Sequence, residues 1–582
     1  MLIRGAIAVL ATLVAVAAAP ALGANPAAPP DVSGPASAAP PDAAGPYEVR
    51  TAEYDAGVAV VGAPTNPTPT RMYGVIHAPV GAVRSPVVLF MHGAHHPCRV
   101  AGRDVTVGGV LFPGPCPTAG PVEDLPSWRG YDYAGRVLAS HGYTVVSPSV
   151  NWVLSMRPPP MDDLSLRADL ARATLDLMES WSDGGGPSSA LDLRGSLDVD
   201  RVVLVGHSRS ADALAGLVRR EQADVSKPSP YRALIEIGAV DFDFDRRVHA
   251  PTGLHFAAIT GSCDFETGTQ GARVWDRSRF DLNSDAYARA QFTLVGANHG
   301  FFNSEWPDEW QRDPTQVLPL NPYEHAICMP DSPRSNRLPR ATQESITAKI
   351  VAAFIRTHVG AERDLEWLLT ARGAPALSGC VTSCTPAVLP SYLPPAGERT
   401  FVTTWMSGAN AAGGAITTSG GDLAVCDSAR DQCPQWWINS ASSQATINWN
   451  SKATVQMPFP DLVANRCEIV IRGAMNDASP SNDGAASVPW AVELVNSDDE
   501  RATVSGEGFG WSFIRPPPSD GNQFGRNDEL RRGWWSLSET RIPLAAFRGV
   551  HLISLKSVVI HFGDGSRPGN VQLGEVMFQG AC

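Results

Sequence analysis

The stretch VVLVGHSRSADAL, residues 202–214, decides how this chain is read. Residues 202–205 are a short, β-branched apolar run, the pattern of a buried strand. Gly206-His207-Ser208-Arg209-Ser210 follows at once, and residues 211–220 read as a helix with Leu214, Leu217 and Val218 on one face. A serine between strand and helix, with glycine two places before it, is a nucleophile-elbow arrangement. The turn pushes the Ser208 hydroxyl clear of the sheet, and the helix N-terminus aims N–H groups at the same spot. Ser210 stands where the G-x-S-x-G pattern has its second glycine, and is still small. A G-x-S turn also occurs without catalysis, so the partners of Ser208 decide.

Those partners are sought by chain order, which in this class runs serine, acid, histidine. Residues 291–295 read as a strand that ends in Gly296-Ala297-Asn298-His299-Gly300, and His299 is the candidate base. His207 adjoins the nucleophile and is expected to point elsewhere. His249 and His255 come in the wrong order, and His325 is the competitor. Residues 254–260 read as a strand running into Gly261-Ser262-Cys263-Asp264-Phe265-Glu266. Asp264 is the candidate acid, at the strand end where such sheets place their sites, with Glu266 and Asp241 as rivals. The oxyanion donors are expected to be the backbone N–H groups of Arg209 and of Ala94, with His95 as the alternative to Ala94. His92, His95 and His96 also admit a metal-cluster reading, but three histidines within five residues on a turn seldom share one ion without a carboxylate nearby, so no metal is expected.

A chain of 582 residues exceeds one core, so two or more domains are expected. The net charge of −13 argues against nucleic acid and anionic membrane surfaces as partners. Residues 1–24 read as a signal peptide, with Arg4 before an apolar run and a small-x-small site at Ala21-Leu22-Gly23; a retained anchor is the alternative. No later apolar run is long enough to span a membrane. Ten cysteines in an exported chain point to disulfides. Cys98–Cys116 bounds a Gly/Pro-rich loop, and Cys467–Cys582 joins two predicted neighbouring strands. Cys426–Cys433 and Cys263–Cys328 are further expected pairs.

Residues 25–46 read as a disordered Ala/Pro-rich spacer. Residues 47–375 alternate strands with helices, including helices over 131–141, 162–181 and 346–359. This predicts α/β: an α/β-hydrolase fold, a mainly parallel sheet with helices on both faces. Residues 376–400 read as a linker, and 401–582 as an all-β jelly-roll-like sandwich of short strands. That division makes the β-domain separable by truncation near Pro375.

The stretches MHGAHHPC (91–98), SWRGYDYAGRVLASHGYTVVS (127–147), GHSRS (206–210), GAVDFD (238–243), GSCDFETGTQG (261–271) and GANHGFFN (296–303) resemble a family of secreted bacterial α/β-hydrolases. These are related to dienelactone-hydrolase-like and polyester-cleaving esterases. The resemblance covers roughly 47–375 and implies Ser208, Asp264 and His299 as a catalytic triad, with no cofactor. The segments TRIPLAAFRGVHLISLKSVVIHFGDG (540–565) and GNVQLGEVMFQGAC (569–582) resemble jelly-roll domains attached to secreted hydrolases, some of which bind carbohydrate. Trp436, Trp437, Trp511, Trp534 and Trp535 are the aromatics available to stack on sugars, with core packing as the alternative. The resulting expectation is an extracellular, monomeric serine hydrolase acting on an ester substrate, polymeric or carbohydrate-linked esters included. A peptidase or amidase, or a binding protein built on the same scaffold, are the competing readings.

Overall fold

A computed structural model describes residues 40–580 apart from 63–66, 101–102, 105–115, 117–121, 156–162, 188–190, 242–251, 265, 269, 279–283, 308–327, 329–334, 379–386, 406–413, 427–442, 460–462, 464, 477–478 and 516–536. The expected signal peptide, most of the expected spacer, His249, His325, Cys433, Cys582, Trp436, Trp437, Trp534 and Trp535 therefore lie outside the described residues.

The first unit is a nine-stranded sheet. Its strands are β1 (Val49–Val61), β2 (Thr68–Pro79), β3 (Ser85–Met91), β4 (Thr144–Pro148), β5 (Leu197–His207), β6 (Tyr231–Ile237), β7 (His255–Gly261), β8 (Arg289–Leu294) and β9 (Val388–Leu393). They lie in the order β1-β2-β4-β3-β5-β6-β7-β8-β9. The pairs from β4 to β8 are parallel. β1–β2, β2–β4 and β8–β9 are antiparallel. In β5, Val203 and Val205 face one core, packed by Leu138 of α1 (Asp132–Ser140) and by Ile350 and Phe354. Val202 and Leu204 face the other, packed by Leu170 of α2 (Asp163–Gly184) and Leu214 of α3 (Arg209–Gln222). This is the two-residue alternation of a strand buried on both faces. Two further helices, α4 (Gln270–Arg277) and α5 (Arg340–His358), complete the layers that bear on the site.

The second unit has β10 (Arg399–Thr403), β11 (Thr417–Cys426), β12 (Gln444–Pro458), β13 (Glu468–Met475), β14 (Trp490–Asn496), β15 (Arg501–Ser505), β16 (Ser538–Pro543), β17 (Leu555–Phe562) and β18 (Gly569–Gln579). It is ordered β15-β14-β17-β12-β18-β13-β16, with β10 on β18 and β11 on β12. Every pairing is antiparallel.

The expected fold class is corrected by this architecture. The molecule is mostly β, with only about a quarter of the described residues helical. The nine-stranded sheet is mixed, and the second unit is one nearly closed, barrel-like antiparallel sheet rather than a two-layer jelly-roll sandwich. A helix-rich α/β-hydrolase fold does not describe the chain. The physical reason lies at the sheet edges. Between 47 and 84 the sequence shows only short β-type runs, at 58–61 and 73–77, because the outer strand of the long antiparallel hairpin β1–β2 is largely exposed and carries no continuous apolar pattern. β9 arises inside the stretch expected to be linker and adds antiparallel to β8.

Two disulfides are formed between described residues, Cys98–Cys116 and Cys263–Cys328. Cys426 and Cys467 are also disulfide-bonded; the expected partners Cys433 and Cys582 fall outside the described residues. Among the described residues no helix is long and apolar enough to cross a membrane.

Candidate active site

Ser208 caps α3 with φ 56° and ψ −127°. For a residue with a Cβ such a conformation costs about 1–3 kcal/mol and persists only where the surroundings fix it. Here the Ser208 N–H donates to the Ile237 carbonyl at 2.9 Å, and its carbonyl accepts from the Ala211 N–H at 3.0 Å. Glycine is required at 206: a Cβ there would stand 2.6 Å from the Ala211 backbone. Ser210 uses the hydroxyl that glycine lacks. Its Oγ donates to the His92 carbonyl at 2.6 Å and accepts from Arg167 Nη1 at 2.8 Å. Arg167, fully buried on α2, donates to the same carbonyl and pairs with Asp163, which also accepts from Arg209. The departure from the glycine pattern thus ties α3 to the residue just past β3.

Asp264 follows β7 and is fully buried. Its Oδ1 accepts from the N–H groups of Glu266 and Thr267 at 3.0 and 2.8 Å, and its Oδ2 from Thr267 Oγ1 at 2.7 Å. His299, equally buried just past β8, donates from Nδ1 to Asp264 Oδ2 at 2.9 Å. Burial by itself would raise the Asp264 carboxyl. The charge and hydrogen bond of His299, with the Thr267 bonds, outweigh it and hold the group below its usual range. Gly238 (φ 48°) joins this pair to Ser208: the carbonyl of its neighbour Ile237 holds the Ser208 N–H. A Cβ on Gly238 would lie 3.0 Å from His299 Nδ1 and 3.1 Å from Asp264 Oδ2.

The rivals are placed differently. Asp241 is buried against Arg273 and Arg277 of α4, with Arg273 Nε at 2.5 Å. Glu266 is exposed at the mouth of the site, and its Oε2 lies 3.6 Å from His299 Nε2, the nitrogen opposite Asp264. His255 sits at the start of β7, at the other end of the strand, stacked on His358.

The turn after β3 abuts Ser208, because a Cβ on Gly93 would stand 2.5 Å from Ser208 Cβ. Ala94 follows it, and Arg209 opens the first turn of α3, where helical N–H groups point outward. The three histidines of this turn do not converge. His92 Nε2 accepts from the Val150 N–H at 2.9 Å, which leaves the proton on Nδ1, 3.1 Å from the Gly93 carbonyl. His95 stacks on Trp306 at 4.8 Å, and burial, with His96 beside it, pushes it down to about 3. Among the described residues no group of three or more His, Cys, Asp or Glu is placed to hold a metal ion.

Sequence reasoning missed two walls of the site. The His207 ring lies 4.6 Å from that of His299, with Nδ1 2.9 Å from the Tyr131 hydroxyl, rather than pointing away. Trp306 lies 4.9 Å from His207 and 6.3 Å from His299, and its Nε1 donates to Ser127 Oγ. No periodicity marks Trp306; only its place seven positions after His299 hints at it. No protein-family model matches this chain, and no curated protein matches it.

Proposed function

We propose that this chain is a secreted serine hydrolase that cleaves carboxylic esters through an acyl-enzyme on Ser208. The observation that carries the reading is the strained serine anchored on Ile237, one residue from the glycine that abuts the buried His299–Asp264 pair. In the reaction Ser208 Oγ attacks the ester carbonyl as His299 Nε2 takes its proton. Asp264 on Nδ1 fixes the tautomer and stabilises the imidazolium. The N–H groups of Ala94 and Arg209 receive the developing oxyanion. His299 then returns the proton to the leaving alcohol, and water repeats the sequence to free the acid. The residues in these roles need no cofactor. The motif resemblance to polyester-cleaving esterases favours esters over amides, and disulfides at Cys98 and Cys263 favour an oxidising compartment.

The test is labelling with a fluorophosphonate probe, followed by turnover of matched soluble esters and amides. Labelling at Ser208 with ester turnover, both lost in Ser208→Ala, is expected. A folded Ser208→Ala protein with ordinary turnover overturns the assignment, and preferential amide cleavage makes it an amidase.

A further inference from the structure

We propose, on the reading of Ser208 and His299 just given, that Glu266 is a positioning residue whose carboxylate faces the proton-accepting nitrogen of His299 and sets the acid limit of the nucleophile's reactivity. Asp264 occupies Nδ1 at 2.9 Å, so Ser208 has to engage His299 through Nε2. Glu266 Oε2 already stands 3.6 Å from that nitrogen. The imidazole is thus held between two carboxylates from one short loop, one fully buried and one with a side chain 44% exposed.

The consequence follows from charge. An anion beside each nitrogen favours the protonated ring, and a protonated ring cannot accept the serine proton. Two of the other groups that face the pair among the described residues are neutral histidines, and one is a cation. His207, at the end of β5, is kept neutral first by burial and then by the neighbouring histidines. His95, on the turn after β3, is likewise neutral. Arg209, at the start of α3, draws the Glu266 carboxyl down and, as a fixed cation, opposes part of the pull on the ring. The exposed side chain can swing outward when an ester enters, which leaves Nε2 to Ser208.

The experiment is the pH dependence of fluorophosphonate labelling of Ser208 in the full chain, which needs no knowledge of the substrate. Wild type is compared with Glu266→Gln, Glu266→Ala and Glu266→Asp. Removing the charge is expected to move the acid limb of the labelling rate down by roughly one pH unit, the lower end for a neighbouring charge because the side chain is partly exposed. Glu266→Asp, which keeps the charge, is expected to lie closer to wild type. An acid limb in both neutral variants that coincides with wild type overturns the proposal alone. Absence of labelling at Ser208 in wild type at every pH overturns the serine-hydrolase reading and this proposal with it. Glu266 lies on an exposed turn, and two neutral side chains of different size separate loss of charge from loss of fit.

Discussion

Around His299 each side chain has one job, set by which atom it reaches. Asp264 accepts from Nδ1, so Asp264→Asn is expected to lower kcat by on the order of 10³–10⁴ through the wrong tautomer, with an unchanged circular dichroism spectrum. Asp241 should behave in the opposite manner. It is the anion for Arg273 and Arg277, all three buried, and removing one member of such a network costs about 3–5 kcal/mol. Asp241→Asn is therefore expected to lower the urea midpoint sharply, and any loss of activity should track unfolding. Equal loss of kcat in a fully folded Asp241→Asn protein would contradict this. Ser208, Asp264 and His299 were legible as candidates because each follows a strong apolar strand in the order acyl transfer demands. The parts played by Ser210, Glu266 and Asp241 were not. Each depends on a partner far along the chain, such as Arg167 for Ser210 or His299 for Glu266, and no local pattern encodes that distance.

At the scale of elements, the acid loop is held from both ends. It leaves β7 with Cys263 bonded to Cys328, and it enters α4, whose arginines hold Asp241. Closing a chain loop of 65 residues contributes about 4 kcal/mol against the unfolded state. Because Cys263 adjoins Asp264, the double variant Cys263→Ser/Cys328→Ser is expected to lose kcat as well as thermal stability. Stability lost with kcat intact would show that the loop is held by its hydrogen bonds alone. The elements of the parallel centre were legible: the expected helix over 162–181 is Asp163–Gly184, and the expected strand over 291–295 is Arg289–Leu294. The edges were not. β9 is Val-Leu-Pro-Ser-Tyr-Leu in a Pro- and Ser-rich setting, and its burial comes from β8 and the second unit rather than from its own composition.

Over the whole molecule, buried histidines set a pH limit. Burial holds His92, His207 and His358 neutral well below their ordinary range, and His255 down to about 4. In the unfolded chain these groups take up protons near pH 6.5, whereas the native state refuses them. The unfolded state then binds more protons, so stability falls as pH drops through that value. Glu236 acts in the other direction, since its buried carboxyl holds a proton that the unfolded chain releases above about pH 4.5. His95, His96 and His141 are lowered as these four are, and Asp124, Glu344 and Glu366 are raised as Glu236 is, but of these acids only Glu236 is raised far. The histidines therefore set the sign: the urea midpoint is expected to fall between pH 7.5 and 5.5. A midpoint that rises over that interval would refute the assignment of these rings as neutral.

The same scale decides whether the two units can be parted. The modular reading rests on the Pro- and Ser-rich composition of 376–400, yet that stretch supplies the ninth strand of the first sheet. Phe401, Val470 and Met577 of the second unit lie in the same apolar core as Leu204 and Leu214. Arg472 of β13 is buried against Asp276 Oδ1 at 2.9 Å and Glu575 Oε2 at 3.1 Å, with its guanidinium 4.5 Å from the Trp275 ring. Trp275 and Asp276 belong to α4, the helix directly after the acid loop. Glu539 of β16 accepts from the Ala371 and Tyr392 N–H groups at 2.8 and 2.9 Å. A chain ending near Pro375 would expose the edge of β8, remove the buried Arg472 from Asp276 and open part of the core to water. Breaking the ion pair alone costs about 3–5 kcal/mol, which is comparable with the whole stability of many domains. Such a fragment is therefore expected to aggregate or remain unfolded, and the intact chain to unfold in a single calorimetric transition. A soluble fragment with a cooperative melt and turnover of small esters would show that the second unit only packs against the first. Two well-separated transitions in the intact chain would say the same without truncation.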